Sequence, residues 1–227
     1  METTSRGLVL GLDEQVNRWH LLQHPFYQDW QAGRLERSAL QLYAAQYYRH
    51  VEAFPRHLRT LAARTDGKLR KLIEENLAEE ENPRQPHPKL WRDFAAAVDV
   101  SNDELDSAES LPGTRALVET YRNVCAERSV AEAVAALYVY EAQIPVVATA
   151  KIDGLKRHYG IGDERTLAFF TTHERADVYH AKTGAELIER LAADDEGRAD
   201  VIAAADEALA ALWGMLDRVQ SHPSVAA

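Results

Sequence analysis

The stretch that decides the fold is FFTTHERADVYHAKTGAELI, residues 169–188. Its pattern predicts a long helix, and one face of that helix carries the residues of interest. At helical spacing His173, Asp177 and His180 fall within roughly 60° of arc. Phe169 and Leu187 extend the same stripe, so a face that should be buried carries two imidazoles and a carboxylate. Burying such groups unpaired costs several kcal/mol. Metal coordination would satisfy all three; a hydrogen-bonded His-Asp-His cluster and a solvated helix face are the alternatives.

Helical periodicity continues along the rest of the chain, and no alternating strand pattern or hairpin signal interrupts it. The sequence therefore predicts an all-α protein with a single domain over residues 1–227 and a frayed tail at about 221–227. Ser38 and Ser129 are expected N-caps, and Pro145 is expected to break a helix. Helices are predicted at about 8–22, 26–31, 38–64, 66–82, 89–98, 112–128, 129–159, 163–193 and 196–219.

Composition excludes several classes of protein. The 227 residues carry 26 basic and 36 acidic side chains, a formal charge of -10, which argues against binding of nucleic acid or anionic membranes. No apolar run approaches the roughly 18 residues of a membrane span, and the N-terminus lacks the pattern of a signal peptide. The single cysteine, Cys125, excludes an internal disulfide. We therefore expect a cytoplasmic protein.

Two further carboxylates and a histidine sit at unusual positions. Glu141 lies in the middle of an apolar stripe, where it needs a partner, either a metal or an arginine. In the acidic run 79–81, the stripe places Glu80 nearest the core, with Glu81 as the rival. The proline-rich loop 83–88 then presents His87, which could equally be an exposed loop histidine.

Mixed carboxylate and imidazole side chains in a helical protein suit two iron or manganese ions better than zinc, which more often takes four tight ligands. The Glu-x-x-His pair of ferritin-like bundles is absent from this pattern, so a different helical scaffold is expected.

Five stretches carry a resemblance to a known family: HPFYQDWQAGRL (24–35), LYAAQYYRHVEAFPRHL (42–58), NLAEEENPRQPH (76–87), ALYVYEAQIPVVATAKIDGL (136–155) and HERADVYH (173–180). They resemble the haem-oxygenase-like dimetal oxidases, in the PqqC-like branch named for the chlamydial protein associating with death domains. The match covers roughly residues 8–215. It implies a bundle of about seven helices, a homodimer, and a nonhaem site for two ions, Fe/Fe or Fe/Mn. The ligands that it implies are Glu80, His87, Glu141, His173, Asp177 and His180.

The resemblance also implies an activity. Members of this branch form p-aminobenzoate for folate biosynthesis, and they are thought to consume parts of their own chain, using dioxygen and an external reductant. By motif, Tyr27 would supply the ring, Lys151 the amino group, and Tyr43 would be a second tyrosine near them. From the residues alone, Tyr27 is a core tyrosine and Lys151 a surface lysine. Lys151 lies about 15 Å beyond Glu141 along an ideal helix and about 80° around it, so it enters the site only if the helix bends at Pro145.

Other functions on this scaffold fit the sequence less well. A thiaminase would need a cysteine just before Tyr138-Val139-Tyr140-Glu141, and Cys125 lies too early. A cofactorless quinone-forming oxidase would not need six ligands, and a haem oxygenase with His20 or His24 as its proximal ligand would leave them unexplained. The enzymatic alternative is a dimetal oxidase acting on an external amino acid or fatty acid. The nonenzymatic alternative is an acidic helical module that binds a partner of the death-domain type.

Overall fold

The computed structural model describes residues 5–191, 195–223 and 225, and in these residues it contains eleven α-helices and no strand. The helices are α1 (Ser5–Arg18), α2 (Pro25–Ala32), α3 (Arg37–Ala63), α4 (Gly67–Glu80), α5 (His87–Ala97), α6 (Asn102–Ser107), α7 (Pro112–Glu127), α8 (Val130–Glu141), α9 (Ile144–His158), α10 (Glu164–Leu191) and α11 (Asp195–Gln220); a 3-10 turn covers Leu21–Gln23. The all-α prediction is confirmed. The number of helices in the described residues is eleven, more than the seven or so expected for the bundle.

The helix α8 lies at the centre of the molecule. Every residue from Glu132 to Glu141 is buried, because α10 and α11 both pack along it. The outer helices close the bundle: α3 packs on α4, α5 and α7, and α10 also packs on α5 and α9. This arrangement directs side chains from α3, α4, α5, α9 and α10 toward one interior.

Helix ends follow local signals, with some differences from the sequence prediction. Ser129 caps α8 in a full capping box with Glu132, as expected. Glu36, and not Ser38, stands at the N-cap of α3, and Pro55 lies inside that continuous helix. The first helix ends at Arg18, before His20, whose side chain caps the 3-10 turn. The chain beyond α11 is turn-like, and residues 224, 226 and 227 of the expected tail lie outside the described residues.

The break expected near Pro145 is present and has a specific support. The helix α8 ends at Glu141, and α9 begins at Ile144 with Pro145 in its first turn. Gln143 occupies the break, fully buried, where its amide nitrogen donates to the Val139 carbonyl and its amide oxygen accepts from the Leu21 N–H. This break gives α9 a direction of its own and brings Lys151 into the interior.

The segment Val130–His158 is long and apolar enough, by length and composition, to cross a membrane, and its most apolar 18-residue window has a mean hydropathy of 1.3. Charged and polar residues such as Glu132, Glu141 and Lys151 interrupt the segment, so its apolar residues do not form one run. In the structure 72% of its most apolar window is buried inside the protein. The segment is therefore a core element, divided into α8 and α9.

Candidate metal centre and tyrosine–lysine cluster

Glu80, His87 and His173 form a compact buried cluster. Each offers one ligand atom, and these atoms lie within 4.8 Å of one another. Glu80 ends α4, His87 begins α5 and His173 lies in α10, so three helices meet there. All three residues are at most 6% exposed. A buried carboxylate with two imidazoles is a donor set that suits iron or manganese.

The geometry of the two histidines fits metal ligation better than mutual hydrogen bonding. His87 Nδ1 lies 2.8 Å from Glu80 Oε2, yet it makes no hydrogen bond within the described part of the chain. The His173 Nδ1–H donates to the Phe169 carbonyl at 2.7 Å, which holds the ring in one orientation. Its Nε2 faces Glu80 Oε1 at 3.9 Å. Orientation of a ligand ring through its second nitrogen is typical of metal-binding histidines, so the residues present fit a metal ion.

The structure separates Glu80 from its neighbour in the acidic run. Glu81 is exposed and pairs with Arg59 at 2.5 Å on the surface. The helix face places Glu80 inward, as its stripe predicts. The alternative that His87 is an exposed loop histidine is wrong, because α5 starts at His87 and the residue is buried.

The other three predicted ligands stand differently. Glu141 is buried, and its Oε1 accepts a 2.8 Å hydrogen bond from the Asn76 side chain. Asp177 and His180 lie on α10 by their backbone, but their side chains fall outside the described part of the chain. Asn76 lies on α4 one turn before Glu80 and is buried. A polar side chain at a buried position of this helix is the signal in the sequence that could have identified it.

Tyr27, Tyr43 and Lys151 meet in one hydrogen-bonded cluster. The Lys151 Nζ donates to the Tyr43 hydroxyl at 2.8 Å, and the Tyr43 and Tyr27 hydroxyls are 3.0 Å apart. All three residues are at most 4% exposed. The sequence did not require this proximity, since the three residues come from α9, α3 and α2.

The HPFY motif, residues 24–27, forms the start of α2. The His24 side chain accepts the Phe26 N–H at 3.0 Å and thereby caps α2, while Pro25 occupies the first helical turn. The His24 Nε2 lies 3.1 Å from Asp217 of α11. The cap fixes the start of α2, and Tyr27 follows in its first turn.

The AKIDGL motif, residues 150–155, forms the contact of α9 with α2. The Trp30 indole N–H donates to the Lys151 carbonyl at 3.2 Å. A Cβ at Gly154 would lie 2.5 Å from Trp30 Cδ1, so only glycine lets α2 and α9 approach this closely. Gly154 is thus the residue that lets α9 hold Lys151 against the tyrosines.

Burial sets the protonation of this cluster. Loss of hydration lowers the pKa of Lys151 to about 7, so a large fraction of the amine is neutral at neutral pH. The same loss of hydration raises the pKa of Tyr27 and of Tyr43 well above 10, so both phenols keep their protons. The amine nitrogen lies 5.2 to 5.4 Å from the ring centroids of Tyr27, Tyr43, Tyr47 and Phe170.

Aromatic rings connect the two clusters. Phe169 packs on His173 with ring centroids 4.3 Å apart and on Trp91 at 4.7 Å. Trp91 in turn lies 5.0 Å from Tyr47 and 5.8 Å from Tyr43. The metal-type cluster and the amine therefore share one water-poor interior.

A further pair of buried imidazoles, His50 and His57, went unnoticed in the sequence. Burial lowers the pKa of His50 to about 3 and that of His57 to about 4, so both are neutral. The His50 ring packs among Tyr47, Tyr121 and Tyr140. Their i, i+7 spacing on α3 was the available signal.

Comparison with known proteins places the chain. A family model described as iron-containing redox enzyme matches residues 41–213, about three quarters of the chain. The chain belongs to this family. It is an oxidoreductase, and the resemblance seen in its motifs is confirmed.

Individual relatives agree with this placement. The 4-aminobenzoate synthase of Chlamydia muridarum is 42% identical over 218 residues, which cover 96% of this chain and 92% of that protein. The 4-aminobenzoate synthase of Nitrosomonas europaea is 37% identical over 221 residues, covering 93% and 90%. A solved domain with a haem-oxygenase-like fold from Shewanella denitrificans superposes with a TM-score of 0.80 at 17% identity, covering 93% of this chain and 91% of that one. The predicted fold is thereby confirmed for this member of the iron-containing redox enzymes.

Proposed function

We propose that this redox enzyme forms p-aminobenzoate, with the ring of its own Tyr27 and the amino nitrogen of its own Lys151. The observation that carries the proposal is the buried, largely neutral Lys151 amine held 2.8 Å from the Tyr43 hydroxyl, which in turn lies 3.0 Å from that of Tyr27. The 4-aminobenzoate synthases to which the chain is similar support the product.

The metals in this proposal are two ions, Fe/Fe or Fe/Mn. Glu80, His87 and His173 would hold one of them, and Glu141, Asp177 and His180 complete the ligand set that the family motif predicts. When bound, such ions supply the redox chemistry by which dioxygen and an external reductant oxidise a phenol.

The chain's own residues prepare the ring for exchange of its substituent. The amine lone pair is available because burial opposes protonation of Nζ. At the phenol carbon a C–N bond would form as the C–O bond breaks, and the oxygen leaves as water. Release of p-aminobenzoate further requires cleavage of the Lys151 Cε–Nζ bond and of the Tyr27 Cα–Cβ bond, with dioxygen as the oxidant that converts Cβ to the carboxylate. The Tyr43 hydroxyl lies between donor and ring, where it can accept a proton from the amine and pass its own to the Tyr27 oxygen. Surrounding rings exclude water that would compete with the amine.

Reconstitution tests this function. The metal-free protein is loaded anaerobically with Fe(II), or with Fe(II) and Mn(II), and then given reductant and dioxygen, and p-aminobenzoate is measured by mass spectrometry. Product should appear together with mass changes on the peptides that contain Tyr27 and Lys151. Tyr27→Phe and Lys151→Arg should each abolish formation of p-aminobenzoate. The control variants Tyr48→Phe and Lys156→Arg should not, and Lys156 is an exposed lysine on α9, the helix that carries Lys151.

Each part of the proposal fails separately. Unchanged product yield in both Tyr27→Phe and Lys151→Arg would refute self-consumption and favour an external substrate. Less than one metal ion per chain after reconstitution would refute the two-metal site. We further propose a homodimer in the cytoplasm, which light scattering of the purified protein and fractionation of its host would check.

A further inference from the structure

A cavity lies between α4, α8 and α10, and Glu141 is one of the buried residues that line it. Leu69 and Leu187 stand half-buried at its mouth, and Ile73 and Leu137 line its buried part.

The size and lining of the cavity favour a small apolar occupant. Its volume is about 50 Å³, and one water needs roughly 10–15 Å³ measured this way, together with two to four polar partners. Its walls are mostly apolar. The polar residues that line it are Glu141, Thr183, Asn76, whose amide is bonded to Glu141, and Tyr138, whose hydroxyl donates outward to Asp13 at 2.5 Å. A diatomic gas fits both the space and the apolar walls.

The cavity is separate from the cluster of Tyr27, Tyr43 and Lys151. Tyr138 contributes to the cavity wall, while the Tyr140 hydroxyl bonds to Tyr47, one of the rings around Lys151. Two residues apart on a helix, Tyr138 and Tyr140 lie about 160° from one another around α8. A molecule in the cavity would thus reach Glu141 without passing the tyrosines that surround Lys151.

We propose that this cavity is the route by which dioxygen enters, with Glu141 among its lining residues. The inference rests on the proposed function, because only a dioxygen-consuming centre at Glu141 needs such a route. A long apolar substrate is the competing occupant, and the test distinguishes the two.

Xenon, an electron-dense apolar probe, tests the site in the metal-free protein. Crystals under xenon pressure should show xenon between Ile73, Leu137 and Gly184. Gly184→Leu should remove it. Gly184→Ala should keep it, because a Cβ at this position would lie 3.6 Å from the Tyr138 side chain, an ordinary contact. Absence of xenon from the unmodified cavity would overturn the proposal, and so would a long-chain acyl molecule carried through purification in it.

Kinetics test the route in the metal-loaded protein. The rate at which dioxygen oxidises the reduced enzyme, followed by absorbance, should fall about tenfold in Gly184→Leu, at the lower end of the range over which altered access changes an association rate. Ile73→Phe blocks the same cavity from α4 and should act alike if Gly184→Leu folds poorly. Metal content should stay unchanged in both variants, and Gly184→Ala should match the unmodified enzyme.

The result that refutes the route differs from the one that refutes the function. Oxidation rates unchanged in both blocked variants would overturn the dioxygen route, even where p-aminobenzoate is formed. An unmodified enzyme that binds xenon and oxidises its metals through the cavity, yet forms no p-aminobenzoate, would uphold the route and refute the proposed function.

Discussion

Replacing Lys151 with methionine should stabilise the metal-free protein, and more so at low pH. Methionine retains the apolar length of the side chain and removes its charge. In the folded protein burial lowers the pKa of Lys151 from 10.5 to about 7. The unfolded chain therefore binds the proton more tightly than the folded one, and lysine opposes folding at every pH below about 10.

The magnitude follows from the pKa difference. About 3.5 pKa units at about 1.4 kcal/mol each correspond to about 5 kcal/mol. This full cost applies below pH 7, where folding must bury a charged amine. Between pH 7 and 10.5 the cost declines by about 1.4 kcal/mol per pH unit, because only the unfolded chain is still protonated there. Loss of the hydrogen bond to Tyr43 offsets about 1 kcal/mol at any pH.

Urea denaturation of Lys151→Met and of the unmodified protein at pH 6 and pH 9 measures the effect. We expect the variant to be more stable by about 3 to 4 kcal/mol at pH 6 and by about 1 kcal/mol at pH 9. Lys156→Met, at an exposed position on the same helix, should show no such pH dependence. A Lys151→Met variant that is destabilised equally at both values would refute the claim that burial keeps this amine neutral.

Other predictions concern the amine, the metals, the α2 cap and Glu141. The rate of p-aminobenzoate formation should rise with pH to a plateau, with its midpoint near 7, because only the neutral Lys151 amine can attack; a rate independent of pH from 6 to 8 would contradict this. Glu80→Ala should weaken iron binding by at least about tenfold, whereas Glu81→Ala, which loses only the surface pair with Arg59, should not, as metal analysis after dialysis would show. His24→Ala should cost about 1 kcal/mol of unfolding free energy through loss of the α2 cap, and Asp217→Asn, at a side chain that is 68% exposed, should cost far less; equal losses in both would mean that the His24–Asp217 hydrogen bond, and not the cap, holds α2. Glu141→Ala should abolish both metal loading and product; if it kept both, Glu141 would be no ligand.

The sequence predicted the fold and the candidate ligands because both leave a periodic trace. An amphipathic stripe shows where a helix faces the core, and a carboxylate on that stripe, such as Glu80, stands out against it. The capping box at Ser129 and the helix break at Pro145 could also be predicted, because each depends only on residues that are close together in the sequence.

The tyrosine–lysine cluster left no such trace. Tyr27, Tyr43 and Lys151 belong to three helices, and their contact depends on the direction that α9 takes after Gln143 and on the close approach that Gly154 allows. Both depend on long-range packing, which periodicity does not report. Only the family motifs indicated the cluster.

One physical cause, exclusion of water, serves both halves of the centre. In α10, Phe169 packs on His173, while its neighbour Phe170 lies 5.4 Å from the Lys151 nitrogen. The same aromatic layer therefore borders the metal-type cluster and the amine. Water that entered at either side would hydrate Lys151 and restore its charge, and it would also compete for the positions facing Glu80 and His87. The mostly apolar cavity between α4, α8 and α10, which we propose as the route of dioxygen, is the kind of access that such an interior requires.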